Sequence, residues 1–261
     1  MSNSPTRPLT ARSIIASTLL GTHPPRMPSA LLVKSCELFG IRENAARVAL
    51  SRMVAAGELS VDRSRYELTG RLRERQLRQD RSRRGNDPGA SWDGTWRLAV
   101  VTGESRSASD RADLRRSLTQ LRFGEWREGL WARPDNLDPT DTAGCTMVPG
   151  ARPPDPRALA VSVFPVNAWA LRARFLVHDI DRMQRRLRPG DSRALAESFI
   201  VNATVLRHLQ ADPLLPAELL PSRWPGDRLR ERYEHFDAAF LAIWRDHLRI
   251  VTGLVQADVS A

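Results

Sequence analysis

Lysine is nearly missing from this chain: Lys34 is the single one among 40 basic residues. That bias reflects a GC-rich genome more than a functional choice. The other scarcities exclude more. Cysteine occurs twice, at Cys36 and Cys145, far apart and in no CxxC or metal-ligand pattern, so both read as buried or indifferent thiols. No stretch approaches the roughly 20 uninterrupted apolar residues of a membrane span, and the N-terminus carries no signal peptide, so a cytoplasmic protein with no membrane partner is expected. The histidines His23, His178, His208, His235 and His247 are scattered without HxxxH or HExxH spacing. His178 stands beside Asp179 and Asp181, but neighbours on a helix point in different directions, so the group reads as solvated surface. There is no GxGxxG, no Walker loop and no GxSxG elbow, which leaves nucleotide binding and acyl transfer without support. Neither a catalytic site, nor a metal site, nor a cofactor is predicted, and there is no internal repeat or low-complexity tract.

What is present is charge, unevenly placed. Residues 1–90 hold 16 Lys/Arg against 8 Asp/Glu, a net +8, whereas residues 91–261 hold 24 against 22, a net +2. The basic field belongs to the N-terminal third, where a polyanion partner fits, because arginines on phosphates release counterions. With 261 residues the chain is long enough for two or three small domains with buried cores.

The stretch Pro28 to Thr69 organises that basic third. Ser29 follows a proline and is placed to cap a helix through Leu31, Leu32, Val33 and Leu38. Gly40 ends it, since glycine tolerates the left-handed conformation of a sharp turn. A second helix starts near Arg42, with Ala46, Ala49, Leu50 and Met53 on one face at 3.6-residue spacing. The opposite face carries Asn44, Val48 and Ser51, flanked by Arg47 and Arg52. After Gly57 two short β-type runs follow, Leu59 to Val61 and Arg65 to Leu68, with Asp62, Arg63 and Ser64 at their tip. This is the pattern of a winged helix-turn-helix. A helix fits the major groove of DNA, where arginine can bond guanine and asparagine adenine through two hydrogen bonds. Arginines on a hairpin lie along phosphates or enter the minor groove. The predicted DNA-binding set is therefore Arg42, Asn44, Arg47, Ser51, Arg52, Arg63 and Arg65, and the partner double-stranded operator DNA.

Around this core the pattern predicts a first helix over Ala11 to Leu20 and a stiff proline-bearing connection before Pro28. A basic helix is expected over Gly70 to Arg84, with Leu72 and Leu77 as its apolar contacts. It reads equally as a DNA-flanking helix or a solvated linker. Residues 85–91 are turn-rich. Beyond them Arg97 to Thr102 reads as a strand, Ser109 to Leu121 as a helix, and Arg122 to Trp126 and Gly129 to Arg133 as two strands. That is the first half of a ferredoxin-like layout. Residues 134–157 are expected to be a loop and Ala158 to Pro165 a further strand. From Asn167 the spacing is helical: Ala168 to Leu187, with Trp169, Leu171, Phe175, Leu176, Ile180 and Met183 as its apolar side, then Ser192 to Gln210, then Asp227 to Val251. The fold class is α+β, with a winged helix over 10–84, a ferredoxin-like domain over 92–166 and a helical domain over 167–251.

Three stretches, FGIRENAARVALSRMVAAGEL, WDGTWRLAVVTGE with FGEWREGLWARP, and DPLLPAELLPSRWPG, together resemble the PaaX-type repressors, bacterial regulators of aromatic-acid catabolism. The resemblance covers about residues 10 to 245. It implies a winged helix, a central domain akin to a small CRISPR-associated nuclease, and a helical C-terminal domain. It further implies a homodimer on a two-fold operator, released by an aryl-CoA thioester such as phenylacetyl-CoA. For the effector site the residues offer Arg223 and Trp224, because an arginine suits phosphate and an aromatic wall an aryl group. Trp224 also reads as a packing anchor for the last helix, and that reading is favoured. The related nucleases place a metal-binding aspartate near the end of the central strand, where this chain has only Glu104, which reads as solvated surface. Two rival functions remain, a metal-dependent nuclease using the central domain and a protein-interaction module without DNA affinity.

Overall fold

Thr10 begins the first helix with a reciprocal cap: its Oγ1 accepts from the Ser13 backbone N–H at 3.2 Å, and its own N–H donates to Ser13 Oγ at 2.9 Å. A computed structural model describes residues 9–86, 91–102, 107–138 and 141–253 of the chain. These fall into two compact units, one of Met1–Arg83, Leu176–Gln210 and Arg230–Ala261, the other of Arg84–Phe175 and Ala211–Leu229.

In the first unit the order is α1 (Ala11–Leu20), β1 (Arg26–Pro28), α2 (Ser29–Glu37), α3 (Glu43–Ala55), β2 (Leu59–Asp62), β3 (Arg65–Leu68) and α4 (Gly70–Arg84). Ile14, Ile15, Leu19, Leu32, Cys36, Ala46, Leu50 and Met53 are buried together as the head of this unit. Each lies at helical spacing on its own element, and burying such a face is what holds short helices that are marginal alone. Gly40 has φ +72° at the turn into α3. The strands pair antiparallel in the order β1-β3-β2, Leu59 opposite Leu68 and Asp62 opposite Arg65. Strand β1 lies in what the prolines suggest is only a connection. It pairs Met27 with Tyr66 and makes the wing three-stranded. It also corrects the expected cap of α2: Pro28 occupies the cap position without a side-chain bond, and Ser29 is already helical, its N–H donated to Ser64 O at 2.9 Å. The strand delivers the chain into the helix, so no side-chain cap is needed to set its entry.

The rest of the first unit comes from α7 (Val166–Arg186), in which the division between units falls, α8 (Ser192–Gln210) and most of α9 (Gly226–Val251). Helix α8 buries Leu195, Phe199, Val205, Leu206 and Leu209, and α9 buries Leu229, Tyr233, Phe236, Phe240 and Trp244. Two apolar residues of α7 expected inside, Leu171 and Phe175, are 55% and 57% exposed. The stripe is narrower than its sequence spacing suggests.

The second unit is built on β4 (Trp96–Val101), α5 (Ala108–Gln120), β5 (Gly124–Arg127), β6 (Leu130–Pro134), β7 (Cys145–Ala151) and α6 (Pro156–Val163). The sheet is antiparallel with order β5-β6-β4-β7, the strand order of a ferredoxin-like fold. Two expectations are overturned. Residues 134–157 are not all loop, because they contain β7. Its Pro149 and Gly150 disguise it, and they are tolerated because β7 lies at the edge of the sheet. Ala158 to Pro165 is helical rather than a strand: Asp155 caps α6 by accepting the Ala158 N–H at 2.9 Å, with Pro156 at the first turn. The apolar run hid an Asp-Pro start signal. Helix α6 comes close to β5 because Gly124 has no side chain, and a Cβ there would meet the Val163 carbonyl oxygen at 2.5 Å. One face of the sheet packs Trp96 and Ala132 against Leu159, Phe164, Val166 and Leu215, and the other packs Ala99 and Trp131 against Leu118 and Phe123.

Candidate nucleic-acid interface

Helix α3 buries Ala46, Leu50 and Met53 and leaves Asn44, Arg47, Val48 and Ser51 exposed on the other side. These four lie at i, i+3, i+4 and i+7, one face over two turns. Arg42 occupies the cap position of α3 and is exposed, as is Arg52 near its end. Asn44 in the first turn sits where a recognition helix reaches base edges. Val48 is 50% exposed in the middle of the face, an apolar patch of the kind that meets a thymine methyl. Glu43 holds Arg47, Nε to Oε1 2.7 Å, with both side chains more than half exposed. Such a pair is worth only about 0.3–0.5 kcal/mol in water, so it orients Arg47 without withholding it from a base.

The wing turns on two residues, Arg63 and Ser64, with φ +45° and +63°. Both central residues of this tight hairpin are left-handed, a conformation usually left to Asn and Gly, and each non-glycine residue there costs about 1 kcal/mol. The tip is nevertheless fixed. Ser64 O receives the Ser29 N–H, and Arg26 Nη2 reaches Asp62 Oδ2 at 3.0 Å across the sheet. Arg63 and Arg65 are exposed on it. All seven residues of the predicted set are therefore exposed on α3, at its cap or on the wing.

Sequence reasoning missed what braces this head from behind. Helix α4 buries Leu72, Gln76, Gln79 and Ser82, not Leu77, which is 55% exposed. The Gln76 amide nitrogen donates to Leu20 O at 3.1 Å and Thr22 O at 3.0 Å, and lies 3.4 Å from Leu19 O. It thereby satisfies carbonyls that the end of α1 leaves open. At its far end α4 meets a buried polar group. Arg83 bonds Asp237, Asn202 Nδ2 donates to Asp237 Oδ1 at 2.6 Å, and Tyr233 Oη donates to Asn202 Oδ1 at 2.8 Å. Burial lowers the Arg83 pKa, but Tyr233 and Asp237 beside it outweigh burial and raise it overall. Burial holds the Tyr233 hydroxyl far above its ordinary value, with the Asp237 charge adding to the shift. The only trace of this in the sequence is a stripe of uncharged residues, 72, 76, 79 and 82, through a helix otherwise crowded with arginine.

The other predicted sites are placed as follows. Trp224 stacks on Trp169, centroids 4.6 Å apart, and packs on the core of the second unit, while Arg223 is exposed with φ +59°. Asp179 pairs with Arg182, and Asp181 lies 3.8 Å from Arg232. Glu104 lies outside the described residues. Among the described residues no three His, Cys, Asp or Glu side chains are grouped as metal ligands, and no helix is long and apolar enough to cross a membrane.

Comparison with known proteins gives a consistent result along the chain. Residues 10–72 match the PaaX-like protein family, residues 89–143 the PaaX protein central Cas2-like domain, and residues 167–249 the PaaX-like protein C-terminal domain. Among solved structures, the uncharacterized protein Rv0674 from Mycobacterium tuberculosis is 40% identical, with a TM-score of 0.68 over 92% of this chain and 99% of its own. No curated protein matches. Three matching segments in family order identify the chain as a member of the PaaX family of transcriptional regulators.

Proposed function

We propose that this protein is a repressor of an aromatic-acid catabolic operon, bound to operator DNA as a homodimer in the cytoplasm and released by an aryl-CoA thioester such as phenylacetyl-CoA. The observation that carries the DNA side is the outer face of α3, where Asn44, Arg47, Val48 and Ser51 stand exposed between Arg42 and Arg52. Asn44 and Arg47 read bases, while Arg63 and Arg65 follow phosphates beside the groove. A dimer holds two such heads about one helical turn of DNA apart, and a ligand that prefers a differently spaced form draws the population off the operator. The family resemblance carries the effector class.

The test is binding of the purified protein to its own upstream DNA and to scrambled DNA, across a salt series, with and without phenylacetyl-CoA. Selective binding released by the thioester is the expected result. Equal affinity for both DNAs at every salt would refute the regulator reading. Selective binding that ignores the thioester would keep the regulator and remove this effector. Arg47→Ala should cost about 1–3 kcal/mol on the operator and much less on scrambled DNA if it reads a base.

A further inference from the structure

We propose that the effector site is the cleft enclosed by α1, α4, α8 and α9, and that it takes an anionic aryl ligand, the ring against Phe199, Phe240 and Trp244 and the anion on Arg75 and Arg207. The chemistry rests on the cleft itself, and its regulatory meaning rests on the repressor reading above. The cleft lies wholly within the first unit and holds about 80 Å³ of solvent-admitting space. That suits one ring rather than a whole thioester, whose phosphates would stay at the mouth.

Four observations converge there. The aromatic wall is continuous: Phe199 and Trp244 stack at 5.3 Å, and Phe240 lies 5.5 Å from Trp244. Thr18 and Gln79 are 6% and 4% exposed, yet Thr18 Oγ1 and Gln79 Oε1 at this cleft have no hydrogen-bond partner among the described residues. Buried polar atoms are rarely left so in a fully packed interior. Arg75 and Arg207, both exposed at the rim, have no acidic partner among the described residues. Although the Arg75 side chain is exposed overall, protein packed around its guanidinium desolvates it, and Arg207, Arg12 and Arg78 crowd it, all of which lower its pKa. A bound carboxylate or phosphate would relieve that repulsion through charge-assisted bonds. Finally, the wall touches the reading head. Phe199 packs on Phe39, centroids 5.0 Å apart, in the turn three residues before Arg42. A ring pressed against Phe199 pushes on the turn that aims α3.

The test uses the full chain, two probes (anilinonaphthalene sulfonate as a simple aryl anion, and phenylacetyl-CoA) and two cleft variants, Arg207→Glu and Ala203→Phe. Both probes are expected to bind and compete, and each variant to weaken both at least tenfold while binding operator DNA like the wild type without ligand. Phe39→Leu is expected to keep ligand affinity and lose most of the release. If both variants bind both probes unchanged, the cleft is not the site, and release of the wild type by the thioester would leave the repressor reading standing. If only the sulfonate binds, and Arg207→Glu abolishes it, the cleft stands and the aryl-CoA reading falls. Failure of both probes on the wild type overturns the cleft proposal.

Discussion

Arg42, Arg52, Arg63 and Arg65 in the winged helix are exposed and have no acidic partner among the described residues, whereas Arg97 and Arg133 of the four-stranded sheet are clamped. Arg97 grips Asp135 with two bonds of 2.9 and 3.1 Å, both side chains nearly buried. Arg133 is 2% exposed, lies over the Phe123 ring at 5.1 Å and donates to Asp138 O at 2.9 Å. Arg122 and Asn136 reach the carbonyls of Asp212 and Leu214. The same guanidinium fork serves as a structural tie at Arg97 and Arg133 of the sheet and at Arg83 behind the reading head, and as a vacant hand on the outer face of the winged helix. A count of arginines therefore says little about nucleic-acid binding; what separates the two uses is whether the fork is already satisfied at home.

The sharpest test of that contrast removes a partner. Asp237→Ala strands Arg83 beside Tyr233 and should cost about 2–4 kcal/mol in chemical denaturation, because breaking a largely buried pair leaves an uncompensated charge. Asp237→Asn, which keeps the shape and the Asn202 bond, should recover part of that loss. Next in size, Arg133→Ala should destabilise by about 2–3 kcal/mol through lost packing, while Arg65→Ala should stay within about 0.5 kcal/mol and instead lower the salt dependence of DNA binding. Equal stability losses at both positions would dissolve the contrast.

Alkali offers a third test, since guanidinium groups stay charged there and cannot account for any loss. Burial pushes the Cys36 thiol from 9.0 up to about 11, the Glu37 charge adding to it, and Tyr233 is raised in the same sense. The unfolded chain ionises these groups first. The stability the thiol confers is whole below pH 9 and is lost as pH rises toward 11, by at most about 1.4 kcal/mol per pH unit, while the loss at Tyr233 begins above pH 10 and runs on beyond that window. Cys36→Ser should flatten the pH dependence of the melting temperature, and an unchanged curve would show that the thiol is not the cause. The smallest effect concerns the wing. Replacing Arg63-Ser64 by Asn-Gly should raise stability by about 1 kcal/mol by relieving two left-handed residues, while reducing the salt slope of DNA binding by about 1. A variant that gains stability and keeps its full salt slope would mean that Arg63 touches no phosphate.

The helices and the wing were legible because their signals are local: 3.6-residue apolar spacing, Gly40 and Gly57 as stops, and a short alternating hairpin. Five of the predicted DNA-contact residues, Arg42 to Arg52, are exposed because whatever the buried stripe of α3 leaves out must face outward, and Arg63 and Arg65 because they sit at the hairpin tip. Four things were not legible. Strand β7 carries Pro149 and Gly150, which only the sheet edge permits, and α6 looks like a strand until Asp155 is recognised as its cap. The brace formed by Gln76, Arg83, Asn202 and Asp237 joins residues remote in sequence through polar bonds, and polar bonds leave no hydrophobic period to find. The aromatic wall of the cleft was visible only as helical core. That it also borders unpartnered Thr18 and Gln79 depends on how α1 and α4 meet α8 and α9.

The Gln76 bond to α1 has a consequence for how the DNA contacts can be counted. A carboxamide bears no charge and does not titrate, so its hold on Leu20 O and Thr22 O is indifferent to ionic strength. Added salt can strip phosphate contacts from the reading head while leaving α1 fastened to α4. The fall of affinity with salt then tallies released counterions, undisturbed by loosening at that joint, and single arginines of α3 and the wing can be scored one at a time on that scale.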